Sequence, residues 1–153
     1  HRVDRRQRQM CIRDRYKVWG VRLLMIYVAI FVILIIFSYI AILLLYPVNP
    51  LEMALQLMFP ILFFGNMAFM LSTITRSGNG TAVFMIIIGI ALMFLGKPDS
   101  FWNVLLNAFR VPDNVHPIIW EGILIKNRIF LLSASLVWMM IGLLYLQKRE
   151  KFV

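Results

Sequence analysis

Four runs free of Asp, Glu, Lys, Arg and His dominate the chain: residues 23–46, 53–75, 77–96 and 129–147. Each is long enough to cross a bilayer as a helix, because a hydrocarbon core about 30 Å thick takes roughly 20 residues at helical rise. Within that core the backbone must satisfy its own hydrogen bonds, which a helix does. The pattern predicts an all-α polytopic transmembrane bundle with spans at about 18–46, 52–75, 79–96 and 128–147. An ion- or proton-coupled machine usually keeps a titratable side chain at membrane depth. None is visible in these runs.

The connections punctuate the spans differently. Pro47-Val48-Asn49-Pro50 closes the first, since two prolines end a helix and force a turn. Glu52 then stands where a carboxylate complements the start of the second span. That span is the most polar of the four, with Gln56, Pro60, Gly65, Asn66, Ser72, Thr73 and Thr75, and Pro60 predicts a kink or a break. Ala68 and Ser72 form a small-xxx-small pair suited to close helix approach. These polar positions admit two readings, ordinary helix packing and the lining of a substrate path. Arg76-Ser77-Gly78-Asn79-Gly80 is a short polar turn, giving a helical hairpin with the third span.

Residues 97–128 make the one long connection. Asp99 or Ser100 is placed to cap a helix over about 100–110. On it Phe101, Trp102, Leu105, Leu106 and Phe109 form an apolar side, while Asn103, Asn107 and Arg110 recur at i, i+4 and i+7. An interfacial amphipathic helix is therefore expected here, with Trp102 and Trp120 at headgroup level. Pro112-Asp113-Asn114 ends it, and residues 116–120 lead back toward the bilayer.

Composition agrees with the membrane reading: 61% of residues are hydrophobic and only 15% charged, against about half apolar in soluble domains. The formal charge of +9 points first to nucleic acid, but residues 1–15 hold six of the sixteen Lys and Arg. That segment ends in Met10-Cys11-Ile12-Arg13-Asp14-Arg15 and resembles a translated transposase-type sequencing adapter. The other reading is a disordered basic arm on the cytoplasmic side. On the first reading Cys11 carries no redox or metal argument, and native sequence begins near Tyr16 as a cut fragment. Without those fifteen residues, the segments 16–22, 76–80 and 148–153 hold six Lys or Arg in eighteen residues, and 47–52 with 97–128 hold four in thirty-eight. The positive-inside rule then places both termini in the cytoplasm of a multi-pass cell-membrane protein.

Candidate chemistry is sparse. His116 has no second ligand at metal spacing, and Asp99, Asp113 and Glu121 are scattered rather than paired, so neither a metal site nor a catalytic pair is expected. The Gly-Asn-Gly turn lacks the rest of a phosphate loop, so no nucleotide site is expected in this chain.

The topology resembles the last four spans of a type-2 ATP-binding-cassette exporter permease over about residues 16–153. The matching features are the Leu71-Ser72-Thr73-Ile74-Thr75-Arg76-Ser77 exit from the second span, the outer helix between the last two spans, and Lys126-Asn127-Arg128-Ile129-Phe130-Leu131-Leu132 leading into a last helix with a basic end. The resemblance implies six spans per subunit, two of them upstream of this sequence. It also implies a second permease subunit or half and a separate ATPase that binds ATP, leaving this chain without a cofactor of its own. Substrate-path candidates are then Asn66, Ser72, Thr73, Ser133 and Ser135. ATPase-contact candidates are Lys17, Arg22, Arg76 and Ser77, for which positive-inside anchoring is the alternative role. Membrane lipids are the remaining expected partner, and nucleic acid is not expected. A different class of function, a non-transporting four-span scaffold or assembly protein, fits the same spans. An ion-coupled carrier is disfavoured by their lack of charge, and an intramembrane enzyme by the missing catalytic pair.

Overall fold

The computed structural model describes the backbone of residues 2–44, 49–97, 100–112 and 115–150, and the side chains of 18–44, 49–97, 100–112 and 115–146. It is all-α: α1 is Arg2–Leu44, α2 Pro50–Thr75, α3 Gly78–Leu95 and α4 Pro117–Glu150, with no strand among the described residues. All four contain a stretch long and apolar enough to cross a membrane, namely Val18–Leu44, Pro50–Thr75, Gly78–Leu95 and Pro117–Leu146. By length and composition all four are candidate membrane spans. The outward side chains agree with that. Val83, Phe84, Ile86, Ile87, Ile90, Met93 and Phe94 of α3 are all exposed, a continuous apolar surface that water would not tolerate.

The chain forms two compact units, His1–Leu55 and Gln56–Val153. The first consists of α1 and the opening of α2. Where a disordered basic arm was one expectation for residues 1–15, the backbone from Arg2 onward continues α1. Its Arg- and Gln-rich composition has good helix propensity, and extending an existing helix avoids the cost of nucleation. Along α1 the less exposed positions are Trp19, Leu23, Tyr27, Ile30, Phe31, Leu34, Ile35, Ser38, Ala41 and Ile42, a single broad stripe.

The second unit holds most of α2, all of α3, the connection and α4. Its core is Phe63 and Met67 of α2, Val104 of the connection and Leu131 of α4, with Met85, Ile88 and Leu92 of α3 and Phe130, Ala134 and Trp138 of α4 packed around them. The inward stripe of α3, Thr81, Met85, Ile88 and Leu92, follows the i, i+4, i+7, i+11 spacing that one helix face requires. On α4 the buried positions Trp120, Asn127, Leu131 and Ser135 recur at i, i+7, i+11 and i+15, again one helix face.

Local sequence sets the helix ends. Asn49 precedes Pro50, its side-chain oxygen accepts the Leu51 N–H at 3.2 Å and its carbonyl accepts the Met53 N–H at 3.0 Å. Proline fits the first helical position because its missing N–H is one the helix leaves unpaired. The same logic starts α4 at Pro117, with the His116 carbonyl accepting the Trp120 N–H at 3.0 Å. The last helix therefore begins eleven residues before the expected 128. Glu121, Lys126 and Arg128 end the apolar run without interrupting helical backbone. α2 likewise runs unbroken through Pro60, so the expected disruption does not divide it.

The interfacial helix expected over 100–110 is replaced by successive turns. Ser100, Asn103 and Leu106 form a ladder of three-residue steps: the Ser100 N–H reaches the Lys97 carbonyl at 3.2 Å, Asn103 that of Ser100 at 3.0 Å, and Leu106 that of Asn103 at 3.3 Å. The cause lies in the asparagines. Asn103 Oδ1 accepts the Leu105 N–H and Asn107 Oδ1 the Phe109 N–H, each at 3.0 Å. Such side-chain bonds to the backbone two residues on compete directly with a helix. Asp99, the other expected cap, lies outside the described residues.

α2 and α4 approach closely at Gly142, which is buried. A Cβ there would meet the Phe69 ring at 2.8 Å and the Met70 Cα at 3.3 Å. Gly142→Ala is expected to lower stability by about 1–3 kcal/mol through overpacking. Gly122→Ala, where a Cβ meets nothing within 4 Å, is expected to be neutral or slightly stabilising. Thermal unfolding of both variants in detergent checks the pair, and equal midpoints would refute the close approach.

Candidate functional site

Two polar clusters tie the second unit together, one deep between α2 and α4 and one where the connection meets α4. In the first, the Asn66 side-chain amide donates to Ser135 Oγ at 2.7 Å, and Ser135 Oγ donates to the Leu62 carbonyl at 3.1 Å. Leu62 lies one turn before Asn66, so the Ser135 hydroxyl is held by a single turn of α2. Both side chains are buried, Asn66 at 4% and Ser135 at 3% exposure. Burial makes the pairing matter, since an unpaired amide or hydroxyl in apolar surroundings costs on the order of 1–3 kcal/mol.

The other three path candidates do not join this cluster. Thr73 is buried, but its hydroxyl donates to the Met70 carbonyl of its own helix at 2.7 Å. Ser133 is exposed and bonds back to the Phe130 carbonyl at 2.9 Å. Ser72 is exposed on the outer side of α2. Back-bonding of Ser and Thr to a preceding carbonyl is the usual way a helix hides a hydroxyl in an apolar setting.

The second cluster was not legible as a site. Asn127 is fully buried, and its side-chain amide donates to the Phe101 carbonyl at 2.7 Å and to the Asn103 carbonyl at 2.9 Å. One side chain of α4 thereby bonds the Phe101 carbonyl and shares the Asn103 carbonyl with the Leu106 N–H. Trp102 packs edge-on against Phe130 with ring centroids 4.7 Å apart, and against Phe101 at 4.6 Å. Beside Asn127, the Arg128 guanidinium lies over the Phe59 ring of α2, 5.1 Å from its centroid, and its Nη1 donates to Asn127 Oδ1 at 3.4 Å. Cation–π contact is a favourable resting place for a half-buried arginine. Among the described residues no carboxylate pairs with it.

The four ATPase-contact candidates fall at two places. Lys17 and Arg22 are on α1; the Lys17 side chain is outside the described residues, and Arg22 is exposed with its guanidinium 5.8 Å from the Trp19 ring centroid. Arg76 and Ser77 form the turn between α2 and α3. Arg76 has φ 57°, the left-handed conformation that ends many helices, and its N–H still bonds to the Ser72 carbonyl at 3.1 Å. Ser77 caps α3, its hydroxyl accepting the Gly80 N–H at 3.2 Å. Thr75 and Thr81 hydroxyls meet across the turn at 3.0 Å. Both Arg76 and Ser77 side chains are exposed.

No set of three or more His, Cys, Asp or Glu side chains converges among the described residues. Chemically the arrangement offers neutral hydrogen-bonding groups at depth and cations at the ends. No family model, no curated protein and no solved structure matches the chain.

Two outcomes test this geometry. In a double-mutant cycle of Asn66→Leu and Ser135→Ala, read by unfolding in micelles, the pair is expected to couple by about 0.5–2 kcal/mol, because either variant alone already removes the hydrogen bond between them. Strict additivity would remove the proposed pairing. Asn127→Leu is expected to raise amide hydrogen exchange across residues 100–112 at least tenfold, corresponding to about 1.4 kcal/mol or more of lost local stability. Unchanged exchange there would show that something else holds the connection.

Proposed function

We propose that the chain is the membrane-spanning subunit of an ATP-binding-cassette export system, moving its substrate with energy supplied by a separate ATPase subunit. The observation that carries this reading is the chemistry of the charge-free runs: their polar groups are neutral hydroxyls and amides, not titratable side chains. A pump whose energy arrives through contact with another protein needs no proton- or ion-coupling residue in the membrane. The arrangement of spans supports the same reading, with a short turn after α2, a long structured connection before α4 and a basic end to α4.

In this reading the chain lies in the cell membrane with both termini cytoplasmic. The Arg76–Ser77 turn faces the ATPase, and Lys17 and Arg22 belong to a second cytoplasmic contact. A second permease subunit or half completes the path, and helix rearrangement driven by the ATPase opens it alternately to either side. Asn66 and Ser135 mark the polar point of that path, with Ser72, Thr73 and Ser133 as further candidates. The substrate class that suits such surroundings is apolar or amphipathic.

A scaffold or assembly role is the second reading. It is favoured by the mutual satisfaction of Asn66, Ser135 and the Leu62 carbonyl, which describes a packing contact as well as a path. Copurification separates the two. The full-length protein is expected to bring down an ATPase and to raise its turnover in lipid, and Arg76→Glu is expected to reduce that stimulation severalfold. A stable full-length protein with no associated ATPase, encoded beside no ATPase gene, would favour the scaffold.

A further inference from the structure

We propose that Asn79 is a self-modifying site: the Asn79–Gly80 peptide cyclises and deamidates, and the Ser77 cap of α3 sets how fast. Of the seven asparagines only Asn79 is followed by glycine; the others precede Pro50, Met67, Val104, Ala108, Val115 and Arg128. Ring closure needs a following residue whose side chain does not obstruct the approach and whose backbone bends freely, and glycine supplies both. Asn79 is exposed at the turn between α2 and α3. In the reaction the Gly80 nitrogen loses its proton to solvent and attacks Asn79 Cγ. The N–Cγ bond forms as Cγ–Nδ2 breaks, and the amide leaves as ammonia. Water then opens the succinimide at either carbonyl, giving aspartate or isoaspartate, so water is the one co-reactant and no electrons are exchanged.

The folded turn restrains this chemistry at one atom. The Gly80 N–H donates to Ser77 Oγ at 3.2 Å, while the Ser77 carbonyl accepts the Thr81 N–H at 3.1 Å and the Thr81 hydroxyl at 2.9 Å. These bonds hold Asn79 in the first turn of α3. Cyclisation requires Asn79 to leave helical geometry and the Gly80 nitrogen to turn onto the Asn79 side chain. The attacking nitrogen is thus the capping donor, and the cap and the reaction exclude each other. The two products act differently on the turn. Aspartate places a carboxylate in the first turn, where the helix dipole favours it. Isoaspartate routes the main chain through its β-carbon, and the extra atom disturbs the register in which Ser77, Thr75 and Thr81 bond to one another. Either product sets an anion three residues from Arg76. The site depends on the turn alone and not on what the protein moves.

The test is peptide mapping by mass spectrometry, with fragmentation that separates aspartate from isoaspartate, on the full chain held in phosphatidylcholine nanodiscs in warm, mildly alkaline buffer. Wild type is expected to deamidate at Asn79 ahead of every other asparagine, and about tenfold or more slowly than a free peptide of residues 74–84, in which no cap forms. Ser77→Ala removes the capping oxygen but leaves the Ser77 carbonyl bonds, and is expected to speed the reaction about fivefold, the weight of one cap. Ser77→Thr keeps a capping hydroxyl and is expected to restore the slow rate. Gly80→Ala, whose Cβ meets Ser77 Cβ and Oγ at an ordinary 3.6 Å, is expected to fold as wild type and to lower the rate about tenfold. Equal rates in wild type and Ser77→Ala overturn control by the cap. No deamidation at Asn79 in either protein overturns the site, as does an unchanged rate in Gly80→Ala. Should Ser77→Ala fail to fold, the comparison of wild type with the free peptide and with Gly80→Ala decides the matter, and equal rates in all three overturn it.

Discussion

The Asn127 side-chain amide holds the connection to α4, and the geometry at that end of the second unit follows from it. Its bonds to the Phe101 and Asn103 carbonyls bridge 26 and 24 residues of sequence. A segment built from turns leaves carbonyls that no helix ladder satisfies, and burying them unpaired would cost more than the turns gain. One fully buried amide supplies the Phe101 carbonyl with a donor and adds a second to the Asn103 carbonyl, which also accepts the Leu106 N–H. It also sets Val104 into the core, brings Trp102 onto Phe130, and fixes the backbone from which Arg128 reaches Phe59.

Helices as apolar as those of the second unit suit a lipid surround, and their contacts are of the kind such a surround requires. Between apolar helices in lipid, hydrophobic association supplies little, so close packing and a few interhelical hydrogen bonds carry the specificity. The contacts are distributed accordingly. Gly142 lets α4 meet Phe69 and Met70, the Asn66–Ser135 pair fixes the register of α2 against α4 above it, and Phe63, Met67 and Leu131 fill the space between. Each polar contact is neutral. That choice avoids the cost of buried charge, and among the described residues of the unit Arg128 is the one half-buried cation.

The four spans were legible because absence of charge over about 20 residues is a signal that depends on nothing else in the fold. The hairpin turn at Arg76–Gly80 was legible for a similar reason, since its caps are local. The outer helix over 100–110 was not. Its i, i+4, i+7 polar spacing suits a helix, but Asn103 and Asn107 turn their oxygens onto nearby N–H groups, and apolar periodicity carries no record of that competition. The start of α4 was misplaced because Glu121, Lys126 and Arg128 mark where apolar sequence ends, which is a different boundary from where helical backbone begins. Asn66 stood out by polarity, and Ser135 by a looser analogy. Their union was a matter of α2–α4 register, which no single span encodes. Asn127 was visible only as one letter of the entry into the last span. Its importance came from two carbonyls more than twenty residues earlier in the chain.

The turn between α2 and α3 has a mechanical consequence. With Arg76 left-handed, Ser77 capping α3, and the Thr75 and Thr81 hydroxyls joined across the gap, there is no slack residue between the two helices. The two helix ends are tied to each other through that elbow, and the Asn66–Ser135 bond to α4 lies about 15 Å further along α2, so the elbow and the bond share one helix.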